Sequence, residues 1–296
     1  MVFIPGHITG FFNIYYDKDI LKVGSTGAGI TVDKGVITEV VEGNGNIYFN
    51  EKKIDLCPTI EVIRCYKSNL TKCNSSNDYD NSNNRNNNTN DLDNINVYHY
   101  SDFPLGCGLG ISGGCALGAS YNLYKLLKNK VNEEDILKYA HIGEVKCGTG
   151  LGDVIGQYAT GFVIRTKAGL PPSIKTIDVN IGKYFILIEI LGRKETKNII
   201  KNKEWIDKIN RTSQKYTYEL LKNPTLKNFM ELSLNFAIET NLISDKILEL
   251  CNDLSFTVGA SQAMLGNTLF CIVEKKDLDN SISILNRPIV CKIYKK

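Results

Sequence analysis

The run Pro104–Ser120, PLGCGLGISGGCALGAS, holds six glycines among seventeen residues and no charged side chain. Ahead of it Val97–Tyr100 reads as a strand. Behind it Ala116, Leu117, Tyr121, Tyr124 and Leu127 recur at helical spacing within Ser112–Leu127. Glycine between a strand and a helix removes Cβ atoms from a ligand's path, so backbone N–H groups can approach it. The helix adds its positive end, and the two together suit phosphate oxygens. Close packing of a helix on its neighbour is the plainer use of so many small residues. Gly108, Gly110 and Gly113 match GxGxxG, but Lys125–Lys130 stands where a dinucleotide site carries its acid, and no GK[ST] closes the loop. What remains is a phosphate loop without its own lysine, ending in the hydroxyl of Ser112.

A nucleotide held there needs Mg²⁺ to offset its charge, and carboxylates to hold the metal and accept a proton. EVKCGTGLGD, Glu144–Asp153, supplies two acids on one tightly turning segment. An ordinary polar loop gains nothing from three glycines in five residues, since each costs conformational entropy.

The 296 residues are 43% apolar and 23% charged with a net charge of +3, enough for a large core and too little charge to argue for nucleic acid or an anionic membrane. No apolar run is long enough to span a bilayer, and a soluble, cytoplasmic chain is expected. The nine cysteines show no CxxC and no histidine at ligand spacing, so all are expected to be free, small core residues and not a disulfide framework. Short strands are expected at Val2–Ile8, Leu21–Val23, Gly29–Val32, Val36–Val41 and Ile47–Phe49, while Ile60–Tyr66 fits strand or helix. The Asn-, Ser- and Asp-rich stretch Lys72–Asn94 reads as a mobile surface insertion. A helix is expected from Asn132 to about Gly143, strands at Gly161–Thr166 and Tyr184–Leu191, and helices at Lys203–Leu221, Thr225–Thr240 and Ser244–Cys251. Strands at Thr268–Glu274 and Ile289–Tyr294 close the chain. This order suggests an α+β protein of two domains, 1–170 and 171–296, divided near Leu170-Pro171-Pro172.

Three segments together resemble the GHMP small-molecule kinases. PLGCGLGISGG (Pro104–Gly114) is similar to their phosphate-loop signature. GE…GTGLGD (Gly143–Asp153) is similar to the mevalonate kinase stretch carrying a metal-binding Glu and a catalytic Asp, and TVGASQAMLGN (Thr257–Asn267) to the third, C-terminal motif. IPGHITGFF (Ile4–Phe12), GSTGAGITVDKGV (Gly24–Val36), HIGEVKCGTGLGD (His141–Asp153) and ASQAMLGNTLF (Ala260–Phe270) resemble, within that superfamily, the archaeal pantoate kinases.

The resemblance implies a ribosomal protein S5 domain 2-like N-terminal domain and a ferredoxin-like C-terminal one, with the substrates meeting between them. It implies ATP-dependent phosphorylation of (R)-pantoate to 4-phosphopantoate, in coenzyme A synthesis, and a family that often dimerises. Carried over by position, Gly106, Gly108, Leu109, Gly110, Ile111, Ser112 and Gly113 cradle ATP. Ser112 and Glu144 hold Mg²⁺, and Asp153 is the base. Ser25, His141 and Thr196, in segments that resemble the family, are candidate substrate residues. Arg165 joins them from its place just beyond Asp153, with Arg193 and Lys194 as competitors, because a guanidinium fork matches a carboxylate. The chain departs from the pattern at Ile111, where the signature has serine, and at Pro5-Gly6-His7, where mevalonate kinase has a lysine that pairs with the aspartate. His7 is the substitute, or Asp153 acts by positioning and electrostatics alone. A GHMP kinase for mevalonate, homoserine or shikimate, and a metabolite sensor without turnover, are the other readings.

Overall fold

The computed structural model describes residues 1–75, 92–127, 130–192 and 202–296. A long hairpin opens the chain. β1 (Val2–Tyr15) and β2 (Gly24–Glu42) pair antiparallel from Val2–Thr38 to Tyr15–Gly24. The short strands expected at Val2–Ile8, Gly29–Val32 and Val36–Val41 are parts of these two, because the glycines between them lie inside the strands. Leu21–Val23 falls in the connection. The register shifts between Thr9 and Phe11, a bulge at Gly10.

The other edge of β2 is shared: β5 (Ile95–Ser101) pairs with residues 36–42, and β6 (Phe162–Lys167) with residues 27–30. With β3 (Ile47–Phe49), β4 (Lys52–Lys53) and β7 (Ser173–Ile177) the sheet runs β4-β3-β5-β2-β6-β7, β1 lying on β2. Helices α1 (Cys57–Ser75), α2 (Ile111–Leu127) and α3 (Glu134–Cys147) pack on one another, and α2 packs on the hairpin. Ile60–Tyr66 is helical: Val62, Tyr66 and Leu70, four residues apart, are all buried. The short α4 (Asp153–Ala159) precedes β6.

A second sheet, β11-β8-β10-β9, is antiparallel throughout and consists of β8 (Tyr184–Gly192), β9 (Gly259–Gln262), β10 (Asn267–Glu274) and β11 (Ile289–Cys291). α5 (Lys203–Lys222) packs on β1 of the first sheet and on α6 (Leu226–Glu239), while α6, α7 (Asp245–Asp253) and α8 (Leu278–Ile284) pack on the second sheet. Asn202, Thr225 and Ser244 accept backbone N–H bonds at the starts of α5, α6 and α7, which sets those helix boundaries. Sheet membership changes after Ile177 and not at Leu170-Pro171-Pro172, since β7 still pairs with β6. The chain's end also returns to the first sheet, where Tyr294 N–H donates to Thr31 O at 2.9 Å.

Aromatic rings join the two sheets. Phe229 of α6 lies 5.1 Å from Phe162 of β6 and 6.3 Å from Phe270 of β10, with Phe11 of β1 at 6.3 Å. Each ring buried this way contributes about 1.5–3 kcal/mol of transfer free energy. Gly10 makes the approach geometrically feasible: a Cβ there would stand 2.2 Å from Ser233 Oγ and 2.5 Å from the Phe229 ring.

Two expectations are corrected. The insertion Lys72–Asn94 is structured at both ends, because α1 continues through Ser75 and Leu92 is buried; residues 76–91 lie outside the described residues. Cys57 and Cys147 are not free. They form a disulfide with Cα atoms 5.9 Å apart, across 90 residues of chain, where the start of α1 meets the end of α3. Linear spacing carries no sign of such a meeting. No helix among the described residues is long and apolar enough to cross a membrane.

Closing so long a loop restricts the unfolded chain, so reduction should cost about 2–4 kcal/mol of stability. We expect dithiothreitol to lower the Tm of the wild-type chain to that of Cys57→Ser, a substitution at an exposed position, and to leave the variant unchanged. Equal wild-type melting with and without reductant would refute the bond's contribution.

Candidate active site

The glycine loop rests on three other segments. Gly106, Gly108 and Gly110 have φ of 79°, 85° and 67°, left-handed conformations that coil the backbone ahead of α2. A Cβ on Gly108 would stand 2.7 Å from Cα of Gly266, so the β9–β10 turn sits directly against the loop. Thr268 Oγ1 donates to Cys107 O at 2.7 Å, and Met264 N–H donates to Thr9 O at 3.0 Å. His7 N–H donates to Leu109 O at 3.0 Å, while Gln157 Nε2 donates to both Pro5 O and Gly110 O at 2.9 Å. The edge of β1 thereby holds the loop. Gly106, Gly108, Gly110, Ile111, Ser112 and Gly113 line a cavity, but the Leu109 side chain is buried in the core and offers only its carbonyl to His7.

Each glycine of the acidic segment has its own cause. Gly148 (φ 61°) ends α3 in the left-handed conformation, its N–H turned back to Glu144 O and Val145 O. A Cβ on Gly150 would lie 2.6 Å from Glu144 Oε1. One on Gly152 would lie 2.3 Å from Ser25 Oγ and 2.9 Å from Arg165 Nε. The chain therefore passes over Glu144 and Arg165 at backbone distance before Asp153 opens α4.

Around Asp153 the side chains form a connected set. His7 Nδ1 lies 2.7 Å from Asp153 Oδ1, and Thr9 Oγ1 donates to the same oxygen at 3.4 Å. Arg165 Nη1 lies 3.3 Å from His7 Nε2, and Arg165 Nε makes no hydrogen bond although the residue is 1% exposed. Glu144 is wholly enclosed, and neither of its oxygens has a hydrogen-bond partner. Burial and the charge of Asp153 push its carboxyl up to about 8, against the smaller pull of nearby N–H groups and Arg165. Without a cation Glu144 is thus the protonated, neutral acid at neutral pH, beside the Arg165 guanidinium. Burial lowers the pKa of His7 despite its aspartate partner, so its ring is neutral.

Ser25 and Arg165 line the cavity with Asp153, as do Thr9, Phe12, Thr149, Leu151, Met264 and Leu265. His141 is buried one turn before Glu144 on α3; its ring faces the backbone of Ile20 and Val23 and does not line the cavity. Thr196 lies outside the described residues. Sequence reasoning missed Thr9, Phe12 and Met264 because threonine, phenylalanine and methionine in a strand or turn read as core. It also missed Gln157, whose only signal is its place one helical turn after Asp153. His99 is structural, bonded to Thr38 and Thr59 at 2.9 and 3.0 Å with its pKa lowered by burial to about 3.

The unpartnered Glu144 oxygens beside Gly113, the neighbour of Ser112, fit a hard cation: Mg²⁺ takes one or two carboxylates and completes its shell with water and phosphate. The raised carboxyl also makes stability depend on pH. Folding raises the pKa from 4.5 to about 8, so the contribution is complete below 4.5 and is lost as pH rises through about 8. The Tm of metal-free, nucleotide-free protein should fall from pH 5 to pH 9, and Glu144→Gln should flatten that decline. A wild-type Tm independent of pH over this range would count against a buried, protonated Glu144.

A sequence model for the N-terminal domain of GHMP kinases matches residues 80–161. The chain is 52% identical to a pantoate kinase of Methanocaldococcus jannaschii, covering 99% of this chain and 100% of that one. It is 31% identical to a pantoate kinase of Thermococcus kodakarensis, covering 99% and 95%. A solved structure described as a phosphotransferase related to the CoA biosynthesis pathway superposes with a TM-score of 0.78 at 28% identity, covering 99% and 95%. Mevalonate kinase of Methanococcus jannaschii superposes with a TM-score of 0.66 at 15% identity, covering 99% and 98%, a likeness of fold. A glycine loop closed by a C-terminal turn, an anchored aspartate and this end-to-end identity lead to one conclusion: the chain belongs to the pantoate kinase family of the GHMP kinases.

Proposed function

We propose that the chain transfers the γ-phosphoryl group of ATP to the primary hydroxyl of (R)-pantoate, giving 4-phosphopantoate and ADP for coenzyme A synthesis in the cytoplasm. The observation that carries this reading is the shared cavity of Asp153, Arg165, Ser25 and the glycine loop. A hydroxy acid needs a cation for its carboxylate, a base for its hydroxyl and a phosphate site beside both.

The N–H groups of the loop and the start of α2 bind the phosphates. Arg165, whose buried Nε has no acceptor among the described residues, receives the pantoate carboxylate, and Ser25 is a hydroxyl partner. Asp153 accepts the proton of the attacking hydroxyl. The loose transition state of phosphoryl transfer needs alignment and charge neutralisation more than covalent help. Ser112 and Glu144 would hold Mg²⁺, which neutralises phosphate charge when bound. A cation held there would favour the ionised form of Glu144, opposing the effect of its burial. Thr196 and His141 are further substrate residues in this reading.

Release of ADP from MgATP, measured with pantoate, mevalonate, homoserine, shikimate or no acceptor, tests it. Turnover is expected with pantoate alone, and Asp153→Ala should reduce kcat by about 10²–10⁴-fold. Turnover only with another acceptor would replace the substrate, and ATP binding without turnover on any of them would make the chain a sensor.

A further inference from the structure

His7 stands where the family resemblance leads one to expect a lysine, and its surroundings are shaped for an imidazole ring. A Cβ on Gly29 would lie 2.5 Å from His7 Nε2, and one on Gly156 2.4 Å from the same atom. The ring thus occupies a slot between two strips of bare backbone, from β2 and α4, and is 0% exposed. Its two nitrogens have different partners, Asp153 Oδ1 at 2.7 Å and Arg165 Nη1 at 3.3 Å. A guanidinium has only donors, so Nε2 must accept from Arg165. The ring proton therefore sits on Nδ1 and is donated to Asp153. Arginine, histidine and aspartate form a chain of hydrogen bonds with one direction.

We propose that His7 is a positioning residue for phosphoryl transfer, the neutral link through which the buried Arg165 orients Asp153. The proposal rests on the reading of Asp153 as the group that accepts the hydroxyl proton. A lysine at this position would bring its own charge to the aspartate; here the charge stays on Arg165, and the ring conveys orientation. His7 and Thr9 both occupy Oδ1. Among the described residues no donor reaches Oδ2, which lies on the side of Gly150, where a Cβ would be 3.1 Å away. Oδ2 is thus the oxygen presented to substrate. As the hydroxyl oxygen bonds to phosphorus, its O–H bond breaks and the proton passes to Oδ2, while the bridging oxygen leaves with its electron pair on ADP.

Three substitutions in the full chain test this. Asparagine carries an amide nitrogen near the place of Nδ1, glutamine carries one near the place of Nε2, and leucine carries neither. With MgATP and the acceptor that the wild type turns over, His7→Leu should lower kcat by about 10- to 100-fold, the usual cost of removing a group that orients a reacting one. His7→Asn should recover most of that loss, and His7→Gln should not. The KM for ATP should stay near the wild-type value in all three, because the His7 side chain bonds to Asp153, Thr9 and Arg165 and, among the described residues, to no atom of the loop. Wild-type kcat in His7→Leu, or His7→Gln equal to or better than His7→Asn, overturns the proposal. If His7→Leu does not fold, as judged by its Tm, the asparagine–glutamine comparison decides. Asp153→Ala measured alongside separates the two readings. If it is active, the role of Asp153 in the proposed reaction fails. If it is inactive while His7→Leu keeps wild-type kcat, only the role of His7 fails.

Discussion

Burying the guanidinium of Arg165 is the constraint around which this molecule is arranged. A fully enclosed cation is costly unless charge and hydrogen bonds compensate it. The compensation arrives chiefly from two segments: the Asp153 carboxylate at the start of α4, and His7 of β1, whose Nε2 accepts from Nη1. Glu144 of α3 and the 148–152 turn close over it. Glycine appears wherever one of these must come within backbone distance of another. Gly29 and Gly156 enclose the His7 ring, Gly150 passes Glu144, and Gly152 passes Ser25 and Arg165. Glu144 shows the incomplete side of the balance. Its oxygens have no hydrogen-bond partner of good geometry among the described residues, so in the absence of a cation it is easiest to keep as the neutral acid.

The hairpin strand β1 turns that local chemistry into a cleft. One of its edges pairs with β2 along its whole length. The other is used by three separate elements: the glycine loop at His7, the C-terminal turn at Thr9, and α5 at Ile14, where Asn210 exchanges two hydrogen bonds with the strand at 2.7 and 2.9 Å. An edge strand left bare would invite pairing with another chain. Here it is the common reference for the phosphate loop, the base and the second sheet. The bulge at Gly10 lets α6 press Phe229 between the two sheets, so the cavity walls are joined by a packed aromatic seam.

Helix α3 connects stability with the site. Its last turn carries Glu144 and ends at Cys147, bonded to the start of α1, and then at the left-handed Gly148. The turn that delivers Asp153 therefore leaves from a helix end held on both sides.

Much of this was legible in the residues. The 3.6-residue spacing of α2, α3, α5, α6 and α7, the strands β8 and β10, the loop of Pro104–Gly114 and the acids Glu144 and Asp153 all follow from local pattern, because periodicity, caps and glycine runs act over a few neighbours. Other features depend on which distant segments meet. The joining of short apolar runs into two long strands, the Cys57–Cys147 bond, the turning of His141 towards Ile20 and Val23, and the lining by Thr9, Phe12 and Met264 have no local signature. Above all, the meeting of His7, Asp153 and Arg165 in one line of hydrogen bonds has no local signature. Local order is written in adjacent side chains. The state and role of His7 arise only when folding excludes water and sets a donor-only guanidinium against one nitrogen and a carboxylate against the other.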